Sequence, residues 1–324
     1  MKHMKFLSFF LGITFSIVAC SSNNEIIPVP DVDPDGDDGT TEVEFAKGAD
    51  IGWVTEYESQ GYNFYNAKGE QRECTALMKE LGLNAIRIRV WVDPSKHGNW
   101  CNTADVVEKA KRAKELGMDV MIDFHYSDWW ADPAQQNKPA SWVGKNLANL
   151  KSAIKDHTVS VLQALKAIGV IPKWVQVGNE IRPGMLWDED VALSGASYNV
   201  TEKDLKDAPA SATDKVVYPM NWANLGAFVT TGYDAVKSVF PDAIVIVHLD
   251  NGWDSGLFTW FFDELKKNGG KWDMIGMSLY PYWSRDAKEG YSSADAVITD
   301  CICNIKALST KYNCDVMVVE TGME

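Results

Sequence analysis

The chain has 324 residues, 46% of them hydrophobic, and a formal net charge of −14. That length supports one large core or two modest ones. The acidity argues against nucleic acid or an anionic membrane surface as a partner and suits a neutral substrate.

Lys2, His3 and Lys5 precede an apolar stretch from Phe6 to Val18, followed by Ala19 and Cys20. This reads as a secretory signal over residues 1–20, too short to span a bilayer comfortably. Small residues ahead of a Cys, then Ser21-Ser22-Asn23-Asn24, resemble the lipobox of a bacterial lipoprotein, with Cys20 as the lipidated N-terminus. Residues 21–44 carry Pro28, Pro30, Pro34, Gly36, Gly39 and five aspartates between Asp31 and Asp38, with no Lys or Arg. Too little apolar surface is available there to offset ordering entropy, so the segment reads as an acidic flexible tether.

From residue 45 onward, short β-rich runs alternate with longer helical patterns, the signature of repeated βα units on a parallel sheet. Seven strands are predicted at 47–53, 84–91, 119–125, 173–180, 243–250, 274–280 and 315–320. Helices are predicted at 74–81, 104–116, 147–168, 225–240, 257–267 and 293–312. Gly82, Gly117 and Gly169 sit where a helix end needs a left-handed residue before the next strand. The expected fold is α/β, a (β/α)8 TIM barrel over residues 45–324 truncated after strand seven, with strand eight and its helix absent. Beyond Cys20, five cysteines remain (Cys74, Cys101, Cys301, Cys303 and Cys314), which leaves at least one free thiol and one or two possible disulfides. Their spacing gives no metal motif.

Two strands end in glutamate: Trp174 to Glu180 and Val316 to Glu320. Carboxylates at the C-terminal tips of buried parallel strands lie where such sheets keep their chemistry. A pair of them supplies the acid and the nucleophile that glycosidic cleavage needs. Arg87 and Arg89 share one face of their strand and require carboxylate partners; the preferred reading has Arg87 holding Glu320 ionised, and a salt bridge within the barrel is the other. His125, Asp128, Trp129 and Trp130 follow the third strand, and Trp53, Trp91, Trp187, Trp253 and Trp283 follow others. Such a rim reads as an extended saccharide cleft, in which tryptophan faces cover sugar C–H surfaces and polar edges bind hydroxyls. Tyr280 has two readings: it donates its hydroxyl to the nucleophile's carboxylate and orients it, or it caps the core.

Gly48-Ala49-Asp50, Arg87-Ile88-Arg89-Val90-Trp91, Asp123-Phe124-His125-Tyr126-Ser127-Asp128, Val177-Gly178-Asn179-Glu180-Ile181-Arg182, His248-Leu249-Asp250-Asn251-Gly252-Trp253 and Val319-Glu320-Thr321 occur in order. In these motifs the chain closely resembles the endo-β-1,4-galactanases of glycoside hydrolase family 53. The resemblance implies a retaining enzyme that cuts β-1,4-galactan side chains of pectic arabinogalactan, with Glu180 as acid/base, Glu320 as nucleophile and Asn179 on the sugar 2-hydroxyl. It implies supporting positions for Arg87, His125 and Tyr280, and a cleft shaped by Trp129, Trp187 and Trp283. No cofactor is expected for the chemistry. Some members hold a structural calcium in a loop after strand seven, a segment absent from this sequence. A related barrel acting on mannan, xylan or glucan, or a non-catalytic glycan-binding surface lipoprotein, are the other readings. The whole is expected to act as a monomer, lipid-anchored outside the cytoplasm at the outer membrane or cell surface.

Overall fold

The structure, a computed structural model, describes residues 45–187, 221–287 and 293–322. The signal at 1–20 with Cys20, and the tether at 21–44, lie outside the described residues.

In chain order the strands are β1 (Gly48–Asp50), β2 (Phe64–Tyr65), β3 (Gln71–Arg72), β4 (Ala85–Val90), β5 (Asp119–Phe124), β6 (Trp174–Val177), β7 (Ile244–Leu249), β8 (Met274–Leu279) and β9 (Asp315–Thr321). The helices are α1 (Val54–Ser59), α2 (Cys74–Glu80), α3 (Thr103–Glu115), α4 (Leu147–Ala167), α5 (Trp222–Val239), α6 (Ser255–Lys267), α7 (Pro281–Ala287) and α8 (Ala294–Tyr312). One seven-stranded sheet runs β1-β4-β5-β6-β7-β8-β9, every neighbouring pair parallel. It curls into a (β/α)8-type barrel, close enough to closure that Arg87 of β4 reaches Glu320 of β9 at 3.4 Å. All seven predicted strands are present. The β2–β3 hairpin, α1 and α7 lie outside the predicted elements; two-residue strands and a six-residue helix carry too little periodicity to read.

Strand alternation divides the interior from the helix layer. Ile86, Ile88 and Val90 of β4 and Val245 and Val247 of β7 face outward into one apolar layer shared with Val106 and Ala110 of α3 and Phe258 and Phe261 of α6. Ala85, Met121, Trp174, Ile246 and Met274 pack inward as the lower layer of the barrel. Above them the same strand faces turn polar, with Arg87, Asp123, Gln176 and His248 all buried. Side-chain caps fix the helix starts: Asn102, Asn146 and Asn221 accept from the backbone N–H three residues on, as do Asp254 and Ser293. Gly82, Gly117 and Gly169 have φ of +87°, +64° and +69°, the left-handed turns the sequence pointed to.

Cys74, Cys101, Cys301 and Cys314 are free thiols. Burial pushes Cys74 and Cys301 up to about 12, so both stay protonated and act as packing groups.

Candidate active site

The polar layer is organised around Arg87. Its Nη1 meets Asp50 Oδ2 at 2.9 Å and Glu320 Oε2 at 3.4 Å; its Nη2 meets Asp123 Oδ2 and Asn179 Oδ1, each at 2.9 Å. Burial works against the charge, but Asp123 foremost, then Glu320 and Asp50, more than offset it and push the guanidinium pKa upward. Burial alone would raise the Asp123 carboxyl; Arg87 and His125 overcome it and hold Asp123 below its usual range. Arg89 Nη1 lies 3.3 Å from Asp50 Oδ1. The two arginines therefore have the carboxylate partners their strand face required: Arg87 forms the barrel salt bridge with Asp50 and Asp123 and also lies 3.4 Å from Glu320.

Glu320 reaches the interior through an irregularity. In β9, Val316 and Val318 pack with the outer layer, whereas Met317 and Val319 pack with the inner one. Strict alternation would send Glu320 outward. Pairing shifts between Met277 and Ser278, where Met277 faces Val318 and Ser278 faces Glu320, so Val319 is the extra residue of a β-bulge that turns Glu320 inward. There Tyr280 Oη donates to Glu320 Oε1 at 2.6 Å. Desolvation and the Glu320 charge push the Tyr280 phenol upward, so it remains a donor.

Glu180 follows β6 through a tight turn. Gly178 has φ +82°, and a Cβ there would meet Ile181 Cγ2 at 2.5 Å; Glu180 itself has φ +48°. A left-handed backbone is costly for a glutamate and persists only where neighbours hold it. Gln136, buried in the loop after β5, donates through Nε2 to Asn179 O at 2.8 Å and to Glu180 O at 3.3 Å, and Ile181 N donates to His248 O. The Glu180 carboxyl is raised well above its ordinary value, first by burial, then by the charges of Asp250 and Glu320. Asp250 is in turn paired with Arg182 at 2.9 Å.

Ser278 Oγ donates to Glu180 Oε1 at 2.6 Å, and His248 Nε2 lies 2.8 Å from Ser278 Oγ. Glu180, His248 and Glu320 present atoms within 4.8 Å of one another. Both His248 nitrogens are already engaged, Nδ1 by Gln176 and Asn179 and Nε2 by Ser278, which suits the group to proton handling rather than coordination.

Asn179 is buried beside this pair and donates through Nδ2 to Ala131 O at 2.7 Å, which leaves its second amide hydrogen for a ligand. Other predicted contacts are placed differently. His125 is buried: Ala131 N donates to its Nδ1, so its Nε2–H donates to Asp123, and no ring nitrogen is left for a sugar hydroxyl. Asp128 accepts from the backbone of Asp93 and Ala140 and ties two loops together. Trp91 (2% exposed), Trp187 (0%) and Trp253 (7%) are core residues of the barrel top rather than cleft surface, because the loops there need their own apolar packing. The exposed tryptophans are Trp129, Trp130 and Trp283. Trp129 stacks on His97 at 3.8 Å, and Trp130 lies over the Arg89 guanidinium at 4.1 Å. Sequence reading gave no role to Gln136, Gln176 or Ser278; no local pattern marks them, since their partners lie far away in the chain.

A family model described as glycosyl hydrolase family 53 matches residues 46–324. The chain is 36% identical over 278 residues to an uncharacterized protein in the bgaB 5′ region of Niallia circulans, covering 86% of this chain and 67% of that one. It is 32% identical over 282 residues to an arabinogalactan endo-β-1,4-galactanase of Thermothelomyces thermophilus, covering 85% and 73%. Among solved structures, a fungal β-1,4-galactanase superposes with a TM-score of 0.69 at 30% identity, covering 85% of this chain and 73% of that one. The GH53 catalytic domain of Ignisphaera aggregans gives 0.69 at 30% identity, covering 91% and 70%. With the family match running across the barrel and a carboxylate at the tip of each of two strands, the chain belongs to glycosyl hydrolase family 53.

Proposed function

We propose that the chain is an endo-acting β-1,4-galactanase that cleaves galactan side chains of pectic arabinogalactan with retention of anomeric configuration. The observation that carries this reading is the contrast between two neighbouring carboxyl groups. Glu180 is held in its acid form by burial and by the charges of Asp250 and Glu320. Glu320 is presented to Tyr280 and Arg87 as an acceptor on both oxygens. Their approach within 4.8 Å matches direct attack, for which carboxyl groups lie about 5–5.5 Å apart, better than the wider gap that admits a water.

In the first step Glu320 attacks the anomeric carbon while the bond to the departing oxygen breaks and Glu180 delivers its proton to that oxygen. Esterification removes the Glu320 charge, and with it one of the influences that raise Glu180. Glu180 then serves as base, taking a proton from the water that displaces Glu320. The spare Asn179 amide hydrogen suits the sugar 2-hydroxyl, while Trp129, Trp130 and Trp283 offer exposed aromatic surface for the chain beyond it. The two carboxylates suffice for this chemistry without a cofactor. The signal at 1–20, Cys20 and the acidic segment 21–44 support a lipid-anchored, tethered protein that meets its polymer outside the cytoplasm.

Reducing-sugar release from β-1,4-galactan, mannan, xylan and β-glucan tests the assignment. Release from galactan alone, lost in Glu320→Ala, is the expected result; preference for another polymer contradicts the substrate, and release by Glu320→Ala equal to wild type contradicts the nucleophile.

A further inference from the structure

We infer that His248 and Ser278 are positioning residues that decide which oxygen of Glu180 carries the transferable proton. This rests on Glu180 being the acid/base, as proposed above. Ser278 is 2% exposed and His248 0%, so neither touches bulk water, and neither has an evident packing reason to be polar.

The chain of contacts has a direction. Gln176 Nε2, which donates to Asp123 Oδ1 at 2.6 Å, also lies 3.0 Å from His248 Nδ1. One amide hydrogen goes to Asp123, and the other has Gly178 O and Asn179 Oδ1 at 3.1 Å and His248 Nδ1 at 3.0 Å within reach; we assign it to Nδ1, the shortest of the three, which makes that nitrogen the acceptor and puts the ring proton on Nε2. Nε2–H then donates to Ser278 Oγ at 2.8 Å, which obliges the hydroxyl hydrogen to point at Glu180 Oε1 at 2.6 Å. With Oε1 kept as an acceptor, the proton of neutral Glu180 sits on Oε2, and no donor approaches Oε2 among the described residues. The competing arrangement puts the ring proton on Nδ1, donating to Asn179 Oδ1 at 3.1 Å. Ser278 would then donate to Nε2, and Glu180 could satisfy the serine only by turning its own proton away from substrate. Asn179 Oδ1 already accepts from Arg87 at 2.9 Å, so the competing arrangement asks it to accept a second hydrogen bond. Burial and the nearby Arg87 charge keep His248 well below its ordinary pKa, so the ring stays neutral.

The charged and titratable groups facing Glu180 are Arg87 from β4, Asp132 from the loop after β5, Asp250 with its partner Arg182, Tyr280 after β8, and Glu320 from β9. Ser278→Ala changes none of them. It removes one donor to the charged form, so the Glu180 pKa rises and the alkaline limb of the rate profile moves up with it.

The test is carried out on the full chain. In wild type, ¹⁵N NMR of labelled histidine should show His248 as the Nε2–H tautomer, and ¹³C NMR of labelled glutamate should follow the Glu180 titration. In Ser278→Ala that titration should move up by about one pH unit, and kcat on galactan should fall about tenfold with KM little changed. Ser278→Thr, which keeps the hydroxyl, should restore both. An Nδ1–H tautomer in wild type, or a Glu180 titration that is the same in wild type, Ser278→Ala and Ser278→Thr, overturns the inference. Should Ser278→Ala fail to fold, the wild-type tautomer and Ser278→Thr still decide. Because the spectroscopic arms need no turnover, absence of galactan hydrolysis with the expected spectra would sink the galactanase reading and leave the hydrogen-bond chain standing.

Discussion

Glu180 combines a left-handed backbone, a buried carboxyl and two like charges nearby, each unfavourable for an ionised side chain. Its folded pKa is raised above the ordinary 4.5, so between that value and the folded pKa the native state holds a proton the unfolded chain has lost. Stability from this group is complete below pH 4.5 and falls as pH rises through the folded pKa. Glu180→Gln removes that loss: its melting temperature should match wild type near pH 4 and exceed it increasingly toward neutrality, as read by calorimetry across pH. Arg87 behaves oppositely. Arg87→Met strips buried Asp123 of its cation, and urea unfolding should show a loss of about 3–5 kcal/mol. The two glutamates were legible because a strand-tip carboxylate is marked by its own neighbours. Ser278 was not, because its importance lies in a partner 98 residues away. Trp91 and Trp187 were misplaced because an aromatic residue after a strand serves loop packing and sugar contact with the same sequence pattern.

At the scale of elements, the alternation of β4 predicted which residues face the barrel, and Arg87 and Arg89 obey it. β9 does not. The bulge at Val319 reverses the side on which Glu320 emerges, and nothing in Val316 to Glu320 marks the extra residue, since it is defined only by pairing with β8. The helix layer carries a similar hidden constraint at Gly226 of α5, where a Cβ would lie 2.3 Å from the backbone oxygen of Asn268 at the end of α6. A carbonyl cannot rotate aside as a side chain can. Gly226→Ala would gain about 1 kcal/mol of helix propensity but force the two helices apart. The net change in denaturant unfolding should be a loss of about 1–3 kcal/mol, with KM on galactan unaltered because the site lies at the strand ends.

In the whole molecule, apolar residues fill the lower barrel and a charged, hydrogen-bonded layer lies above them, so the most expensive buried groups are concentrated beneath the reacting centre. That layer is over-determined: Asp50, Asp123, Asn179 and Glu320 all converge on one guanidinium, which fixes Glu320 within the upper barrel. The proposed anchor belongs to this scale too. Full-length chain expressed with its leader in a Gram-negative host should partition into the detergent phase of a Triton X-114 separation, and Cys20→Ala into the aqueous phase; equal partitioning of the two contradicts lipidation at Cys20. The central claim is that Glu180 and Glu320 act as acid/base and nucleophile in a double displacement. Proton NMR of galacto-oligosaccharide hydrolysis, read at times shorter than mutarotation, tests it most directly. Initial appearance of the β-anomer at the new reducing end is the predicted result, and initial appearance of the α-anomer would contradict it.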